Sequence, residues 1–290
     1  MAVNHFKEFG TVAEYEAYIQ PDDYAKPLVA LVDETQTVMF PQGGGGGGDC
    51  GNPILTSVDV DDYSGGAAFN AISQITDVEF PSGITSIGND AFRNCTSLAS
   101  IDIPSGVTNI GQNAFYNCTA LTSLTIPSVV TNIGNYAFFG CTSLASVNIP
   151  SSVTSIGNKV FQNCTSLTSA DIQSGVRNIG TSLFEGCTSL ARATLPSTLS
   201  TVSISMFYGC TSLASIDIPS GVTTIGQSAF YGCSMLSSVT VRATTPPTTY
   251  ANTFNGTHAD MVIYVPAESV ETYKAASGWS NYASKIQAIP

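Results

Sequence analysis

Hydrophobic positions recur along most of the chain at a fixed spacing of 23 residues. A phenylalanine marks each repeat, and a leucine follows six residues after each one, from Leu98 to Leu236. The phenylalanines are Phe92, Phe115, Phe138, Phe161, Phe184, Phe207 and Phe230. Self-similarity at a period of this length is typical of solenoids built from stacked coils. The pattern therefore predicts one elongated repeat domain.

The polar and apolar positions inside one repeat predict a strand. Leu98, Ile101 and Ile103 form an L-x-x-L-x-L pattern, and alternation along a strand directs Ile101 and Ile103 to the same side. Pro104 ends the strand because proline cannot donate to a continuing ladder. A single coil of this kind leaves an apolar edge uncovered, so neighbouring coils must stack, about 4.8 Å apart.

The second half of the repeat predicts another inward-facing segment and a turn. Val107 and Ile110 form a second apolar pair, and Gly111 permits the turn after them. Phe115 and Cys118 have the spacing of a short helical turn with one buried side.

The unit I-P-S-x-V-T-x-I-G-x-x-A-F-x-x-C-T-S-L resembles the BspA-type leucine-rich repeats of bacterial surface proteins, over about residues 58–266. The resemblance implies a curved β-rich solenoid, a role in adhesion or protein binding, and no catalytic residues. Residues 81–266 are the predicted repeats.

Both ends of the repeat region have the features of caps, which shield the terminal coils of a solenoid from water. Residues 54–80 keep the frame in degenerate form, with Ile72 in place of the cysteine. Phe254 follows Phe230 by 24 residues, so one residue is inserted there. Residues 267–290, which contain the single tryptophan, Trp279, predict a helical C-terminal cap.

The first 53 residues have a different composition from the repeats. Residues 1–42 predict a small α+β head, with a short helix over VAEYEAYI and a β-hairpin formed by PLVALV and TVMF. Residues 43–53 contain an unbroken glycine run, which predicts a flexible tether. The segment KPLVALVDETQTVMFP resembles short N-terminal segments of virion proteins of phages that infect gut bacteria.

Charge and hydropathy exclude several classes of function. The net charge of -12 argues against nucleic-acid binding and against an anionic membrane surface. No apolar stretch is long enough for membrane insertion, and the N-terminus lacks the pattern of a secretory signal. Eleven of the 21 acidic residues fall in the first 62, which favours two modules with different roles.

The cysteines form a row of their own. Seven of the eight stand three residues after the phenylalanines, from Cys95 to Cys233, and none has the paired spacing of a metal site. The odd number of equivalent positions favours buried free thiols, with disulfides or metal binding as the alternatives. Cys50 lies outside the row, as an ordinary loop cysteine, a reactive thiol or a link between chains. No catalytic serine motif or phosphate loop is present, so we expect no enzyme activity, cofactor or metal.

One repeat position carries large side chains that differ from coil to coil. These residues stand two before each cysteine, and we call them the turn row: Arg93, Tyr116, Phe139, Gln162, Glu185, Tyr208 and Tyr231. Such variation is expected of a recognition surface, and drift on an exposed turn gives the same pattern. The turn row is the candidate binding surface.

Two non-enzymatic interpretations follow. In the first, the protein is a phage virion surface component, such as a fibre or decoration protein. Its residues 1–42 would contact a capsid or tail protein, and its solenoid would bind a host surface protein or glycan. In the second, it is a leucine-rich-repeat adhesin of the bacterial cell surface. A virion anchor also predicts a homo-oligomer, commonly a trimer.

Overall fold

The computed structural model describes residues 31–32, 37–39, 78, 80 and 83–290. The strands fall into two sets, and each complete coil from residue 144 to residue 235 contributes one strand to each set. The described coils before residue 144 contribute only a short strand each, so the strand predicted over Leu98, Ile101 and Ile103 is not formed, although both isoleucines are buried. The predicted N-terminal helix, the glycine tether, Cys50 and nearly all of the predicted N-terminal cap lie outside the described residues.

We call the set of longer strands the first sheet and the set of shorter strands the second sheet. Each is broken once, into three and four strands in the first sheet and into seven and two strands in the second. The strands of the first sheet are Ser146–Ile149 (β6), Ser169–Ile172 (β8), Arg192–Thr194 (β10), Ser215–Ile218 (β12), Ser238–Val241 (β14), Val262–Val265 (β15) and Ile286–Ala288 (β16). The strands of the second sheet are Leu31–Val32 (β1), Thr37–Met39 (β2), Ser86–Ile87 (β3), Asn109–Ile110 (β4), Asn132–Ile133 (β5), Ser155–Ile156 (β7), Asn178–Ile179 (β9), Thr201–Val202 (β11) and Thr224–Ile225 (β13).

Strands of successive repeats pair in parallel with a shift of one repeat. Asn109 pairs with Asn132, and Ser146 pairs with Ser169, each 23 residues further on. The predicted hairpin is present, since β1 and β2 are antiparallel. Its second strand lies beside β3, where Thr37 pairs with Ser86, so the hairpin continues the second sheet.

Identical side chains from successive coils stack through the core. All seven repeat phenylalanines are fully buried, and neighbouring ring centroids are 5.0–5.8 Å apart. Phe254 stacks on Phe230 at 5.4 Å and 4° despite the inserted residue. Parallel rings at this separation bury a large apolar surface and add a favourable offset contact. The predicted repeat solenoid is confirmed.

The turn that carries the phenylalanine is hydrogen-bonded but is not the expected helical turn. Asn113 and Asn117 have φ of 54° and 57°, the left-handed region, which interrupts a right-handed helix. Backbone amides alternate between two kinds of partner: Tyr116 N donates to Asn113 O within the turn at 3.0 Å, and Phe115 N donates to Ala137 O of the next coil at 2.7 Å. Each turn is therefore held by the next coil along the chain.

A row of glycines allows the coils to approach each other closely. At Gly111, Gly134, Gly157 and Gly180, an added Cβ would lie 2.5–2.6 Å from backbone atoms of the preceding coil. Real Cβ atoms essentially never approach backbone this closely. Glycine is therefore required wherever the second sheet continues from one coil to the next.

Ser203 occupies the glycine position in one coil, and both sheets are interrupted there. We call this coil, residues 190–212, the seam coil. Its strand β11 pairs with β13 but not with β9, and its strand β10 pairs with β8 but not with β12. The hydroxyl of Ser203 donates to Gly180 O at 2.8 Å in place of a backbone contact. The chain thus crosses from one stacked block to the next within this coil.

The packing of the core also changes at the seam coil. Phe184 is tilted by 15° against Phe161 and by 23° against Phe207, whereas the other pairs in the row differ by 3–8°. Ile179 is partly exposed, although its counterparts such as Ile156 and Ile225 are buried. The added Cβ of Ser203 explains these changes, because it keeps β11 from pairing with β9. The phenylalanine turns of the two coils stay hydrogen-bonded, with Phe184 N donating to Met206 O at 2.9 Å.

The C-terminal cap is helical only in part. A 3-10 turn at Ala267–Ser269, a helix at Val270–Ala275 (α1) and a 3-10 segment at Ser280–Lys285 precede strand β16. Trp279 and Tyr273 are fully buried against the last coil. The indole Nε1 of Trp279 donates to Pro247 O, and the Tyr273 hydroxyl donates to Ala243 O, each at 2.7 Å. The sequence pattern did not predict β16, which adds a strand to the first sheet.

We expect Gly134→Ala to destabilise the protein by about 2–3 kcal/mol, because the new methyl group must displace the backbone of the preceding coil. Gly221→Ala is the matched control, since its Cβ would lie 3.5 Å from the nearest atom, Leu199 O. The control should change the free energy of unfolding by less than about 1 kcal/mol, in the stabilising direction. Urea unfolding of both variants measures the difference. Equal effects would contradict the role of the glycine row.

Candidate ligand-binding surface

The turn row forms two aromatic stacks separated by polar side chains. The Tyr116 and Phe139 rings are parallel with centroids 4.7 Å apart, and the Tyr208 and Tyr231 rings are parallel at 5.0 Å. The row lies on the turns that bond coil to coil, so equivalent side chains are brought into contact by the 23-residue period. The structure therefore joins the predicted residues into contacting groups.

The N-terminal stack is covered by a cation. The guanidinium carbon of Arg93 lies 5.0 Å from the Tyr116 ring centroid, within the range of a cation–π contact. Arg93 Nη1 also contacts Asp90 Oδ1 at 3.0 Å. Tyr116 and Phe139 are both half-buried. One face of this stack is thus occupied by the protein itself.

The centre of the turn row consists of two polar residues that are little exposed to solvent. Gln162 is buried, and its Oε1 has no hydrogen-bond partner within the structure. Glu185 is half-buried. These two residues separate the aromatic stacks, so the turn row is not one continuous aromatic surface.

The C-terminal stack is the exposed part of the row. Tyr208 and Tyr231 are each 39% exposed, and Ile204, four residues before Tyr208, is 51% exposed. Five of the six exposed large hydrophobic residues found in the described chain fall between residues 204 and 250. Ile204 stands where other coils carry Asn, Gln or Thr. This apolar residue at a polar position is the sequence signal that could have pointed to the C-terminal stack, and the turn row does not include it.

The backbone beneath this stack is fixed by the neighbouring coils. Gly186 N donates to Tyr208 O, and Gly209 N donates to Tyr231 O, each at 2.8 Å. Tyr208 N and Tyr231 N donate within their own turns, each at 3.1 Å. The tyrosines are therefore presented on a rigid support and in contact with each other.

A second surface feature lies beside the seam coil. A groove opens between β9 and β11, with Ile156 and Ile179 among its lining residues. Its polar lining consists of Asn135, Asn158, Arg177, Asn178, Ser200 and Thr201. Sequence reasoning missed this groove, although Arg177 and Ser203 both depart from the repeat pattern there.

The interior is chemically inert. All seven repeat cysteines are buried free thiols, as the sequence favoured. Burial raises the pKa of Cys95, Cys164 and Cys233 to about 12. From the second coil on, each sulfur donates to the carbonyl oxygen of a phenylalanine in the preceding coil, 3.0–3.2 Å away. A buried neutral thiol of this kind is a poor nucleophile.

Histidine, metal-ligand clusters and membrane-spanning helices contribute little to the described residues. His258 accepts a hydrogen bond from Asp260 N through Nδ1. Within the described ranges, no three histidine, cysteine or acidic side chains lie close enough to hold a metal ion. Nor does the described chain contain a helix with the length and apolarity to cross a membrane.

Comparison with known proteins identifies the class and then the family. The repeats, the sheets and the aromatic core define a leucine-rich-repeat solenoid. The model of the BspA type leucine rich repeat region matches residues 64–191 and 154–273, in six copies, and the chain belongs to this family. A search of curated proteins found no match.

Several solved structures are similar to the chain. A leucine rich cell surface protein of Faecalibacterium prausnitzii is 28% identical; the match covers 77% of this chain and 66% of that protein, with a TM-score of 0.46. A leucine rich repeat protein of T. pallidum is 30% identical, covering 54% of this chain and 74% of that protein, with a TM-score of 0.48. A leucine-rich repeat protein of Bacteroides ovatus is 24% identical, covering 77% of this chain and 74% of that protein, with a TM-score of 0.34. The chain thus spans slightly less than two thirds of the F. prausnitzii protein.

The family assignment favours the second of the two interpretations drawn from the sequence, the bacterial surface protein. None of these comparisons points to a phage particle, so the virion interpretation gains no support.

We expect native protein to leave Cys118 and Cys141 unlabelled by a thiol reagent at neutral pH, because both thiols are buried and protonated. The same reagent should label both after unfolding without reductant, since neither is in a disulfide. Mass spectrometry of the labelled peptides provides the measurement. Quantitative labelling of either thiol in the folded protein would show that the cysteine row is open to solvent.

Proposed function

We propose that the protein is a non-enzymatic scaffold of the bacterial cell surface that binds a protein partner through Ile204, Tyr208 and Tyr231. Membership of the BspA-type family supports the surface assignment. The exposed aromatic stack of Tyr208 and Tyr231 is the observation that supports this binding site. The predicted homo-oligomer stays a prediction.

The residue types favour a protein partner. Tyrosine is enriched among the residues that contribute most to protein interfaces. It offers a large contact area with few rotatable bonds, so little conformational entropy is lost when it is ordered. Here the two rings already pack against each other, which reduces that cost further.

The charge distribution supports the same location. The whole chain carries a net charge of -12, whereas Ile204, Tyr208 and Tyr231 are uncharged. A partner that docks on these residues buries apolar area without removing a carboxylate from water, and desolvating an unpaired charge is costly.

A single experiment on intact bacterial cells tests both parts of the proposal. The photo-crosslinking residue p-benzoylphenylalanine replaces Tyr208 in one variant and Tyr231 in another. Val129, which is 41% exposed and lies outside both the turn row and the exposed region from residue 204 to residue 250, is replaced in the control. We expect the first two variants to crosslink the same protein and the control variant not to crosslink it.

External protease then distinguishes the locations. We expect it to release solenoid peptides and the crosslinked product from intact cells. Stoichiometric peptides in gradient-purified phage particles, with none released from uninfected cells, would overturn the surface assignment. Crosslinking of the same protein from all three positions, or from none, would overturn the binding site.

A further inference from the structure

The groove beside the seam coil is the place where the repeat departs most from its own pattern. Position 177 is Arg, whereas the other described coils carry Thr or Ser there, as at Thr108, Thr154 and Thr223. Ser203 replaces glycine one coil further on and separates β9 from β11. Departures from local rules that coincide in space are expected at functional sites.

Two of the three groove asparagines, Asn135 and Asn158, have a fixed orientation. Asn135 Oδ1 accepts a hydrogen bond from Asn158 N at 2.8 Å, and Asn158 Oδ1 accepts one from Thr181 N at 2.8 Å. Because each amide oxygen is occupied by backbone, each Nδ2 is left as a donor. The structure gives neither Nδ2 a partner among the described residues.

The charge of the groove is positive and uncompensated locally. Arg177 is exposed and forms no salt bridge with any carboxylate of the described residues. No acidic residue lines the groove. In a chain with 21 acidic and 9 basic residues, this local absence of carboxylates makes the groove suited to an anion.

We infer that this groove binds the carboxylate of an acidic sugar chain. The guanidinium of Arg177 matches a carboxylate in bidentate geometry, and the Asn135 and Asn158 amides are further donors in the groove lining. Ser200, Thr201 and Asn178 can both donate to and accept from sugar hydroxyls. The partly exposed Ile179 supplies an apolar surface for the ring. This site shares no residue with the proposed protein-binding site and does not depend on that function.

Isothermal titration of the full chain with short galacturonate oligomers tests the inference. We expect Arg177→Gln to weaken binding by about tenfold or more, the equivalent of one charge-assisted hydrogen bond. Arg192→Gln is the matched control, because Arg192 is also exposed, lies in β10 of the first sheet and loses the same charge. It should bind as the unmodified protein does.

Ligand variants test the chemical class. Oligomers whose carboxylates are methyl-esterified should not bind, and inorganic phosphate should not displace the galacturonate oligomers. Failure of galacturonate to bind, an unchanged affinity in Arg177→Gln, an equal loss in Arg192→Gln, or displacement by phosphate would each overturn the assignment. The variant with p-benzoylphenylalanine at position 208 should still crosslink its protein partner when Arg177→Gln is added. A failure of sugar binding can therefore be distinguished from a failure of the proposed protein binding.

Discussion

Backbone contact along the glycine row determines how closely successive coils stack, and the other regular features of the solenoid depend on that distance. At Gly134 the neighbouring backbone is 2.6 Å from where a Cβ would be, so there is no room for any side chain. The same close approach brings phenylalanine rings to about 5 Å and places each cysteine sulfur within reach of a carbonyl oxygen. Stacked coils of this kind gain stability from each interface with a neighbour.

The stacking constraint also explains why function is expected on the surface. The interior positions are filled by residues that the next coil requires, and the buried thiols there are neutral and unreactive. Positions on the turns are free to differ, provided that their neighbours can still stack. Tyr208 and Tyr231 satisfy that condition by packing on each other, as do Tyr116 and Phe139.

Most of the fold could be predicted from the sequence, because the period is visible in Phe, Cys and Leu at once. The inward direction of Ile101 and Ile103 and the free state of the thiols followed from the spacing and number of equivalent positions. The helical turn was a wrong expectation, since the spacing of Phe115 and Cys118 does not reveal that Asn113 and Asn117 adopt positive φ. Strand β16 was missed because its short, mixed sequence lacks a clear alternation.

The candidate site was predictable only in part. The turn row and its two aromatic pairs were visible in the sequence, but spacing gives neither the burial of Gln162 nor the exposure of Tyr208 and Tyr231. The groove could not be predicted from the sequence. Ser203 in place of glycine has an effect only because the backbone of the preceding coil lies where its Cβ must go, and the sequence does not show that close approach. Arg177 becomes informative once β9 and β11 are known to be unpaired.

Amide hydrogen exchange of the native protein, followed by NMR, tests most directly whether Ser203 interrupts the stack. In a continuous coil, Thr154 N donates to Thr131 O at 2.9 Å and Gly157 N donates to Ile133 O at 2.8 Å, so both amides should exchange slowly. Ser200 and Ser203 are their counterparts in the seam coil, and in the described structure neither donates a backbone hydrogen bond to the preceding coil. We expect both serine amides to exchange fast, and the amides of residues 200 and 203 to become protected in Ser203→Gly. Slow exchange of Ser203 in the unmodified protein, equal to that of Gly157, would contradict the account.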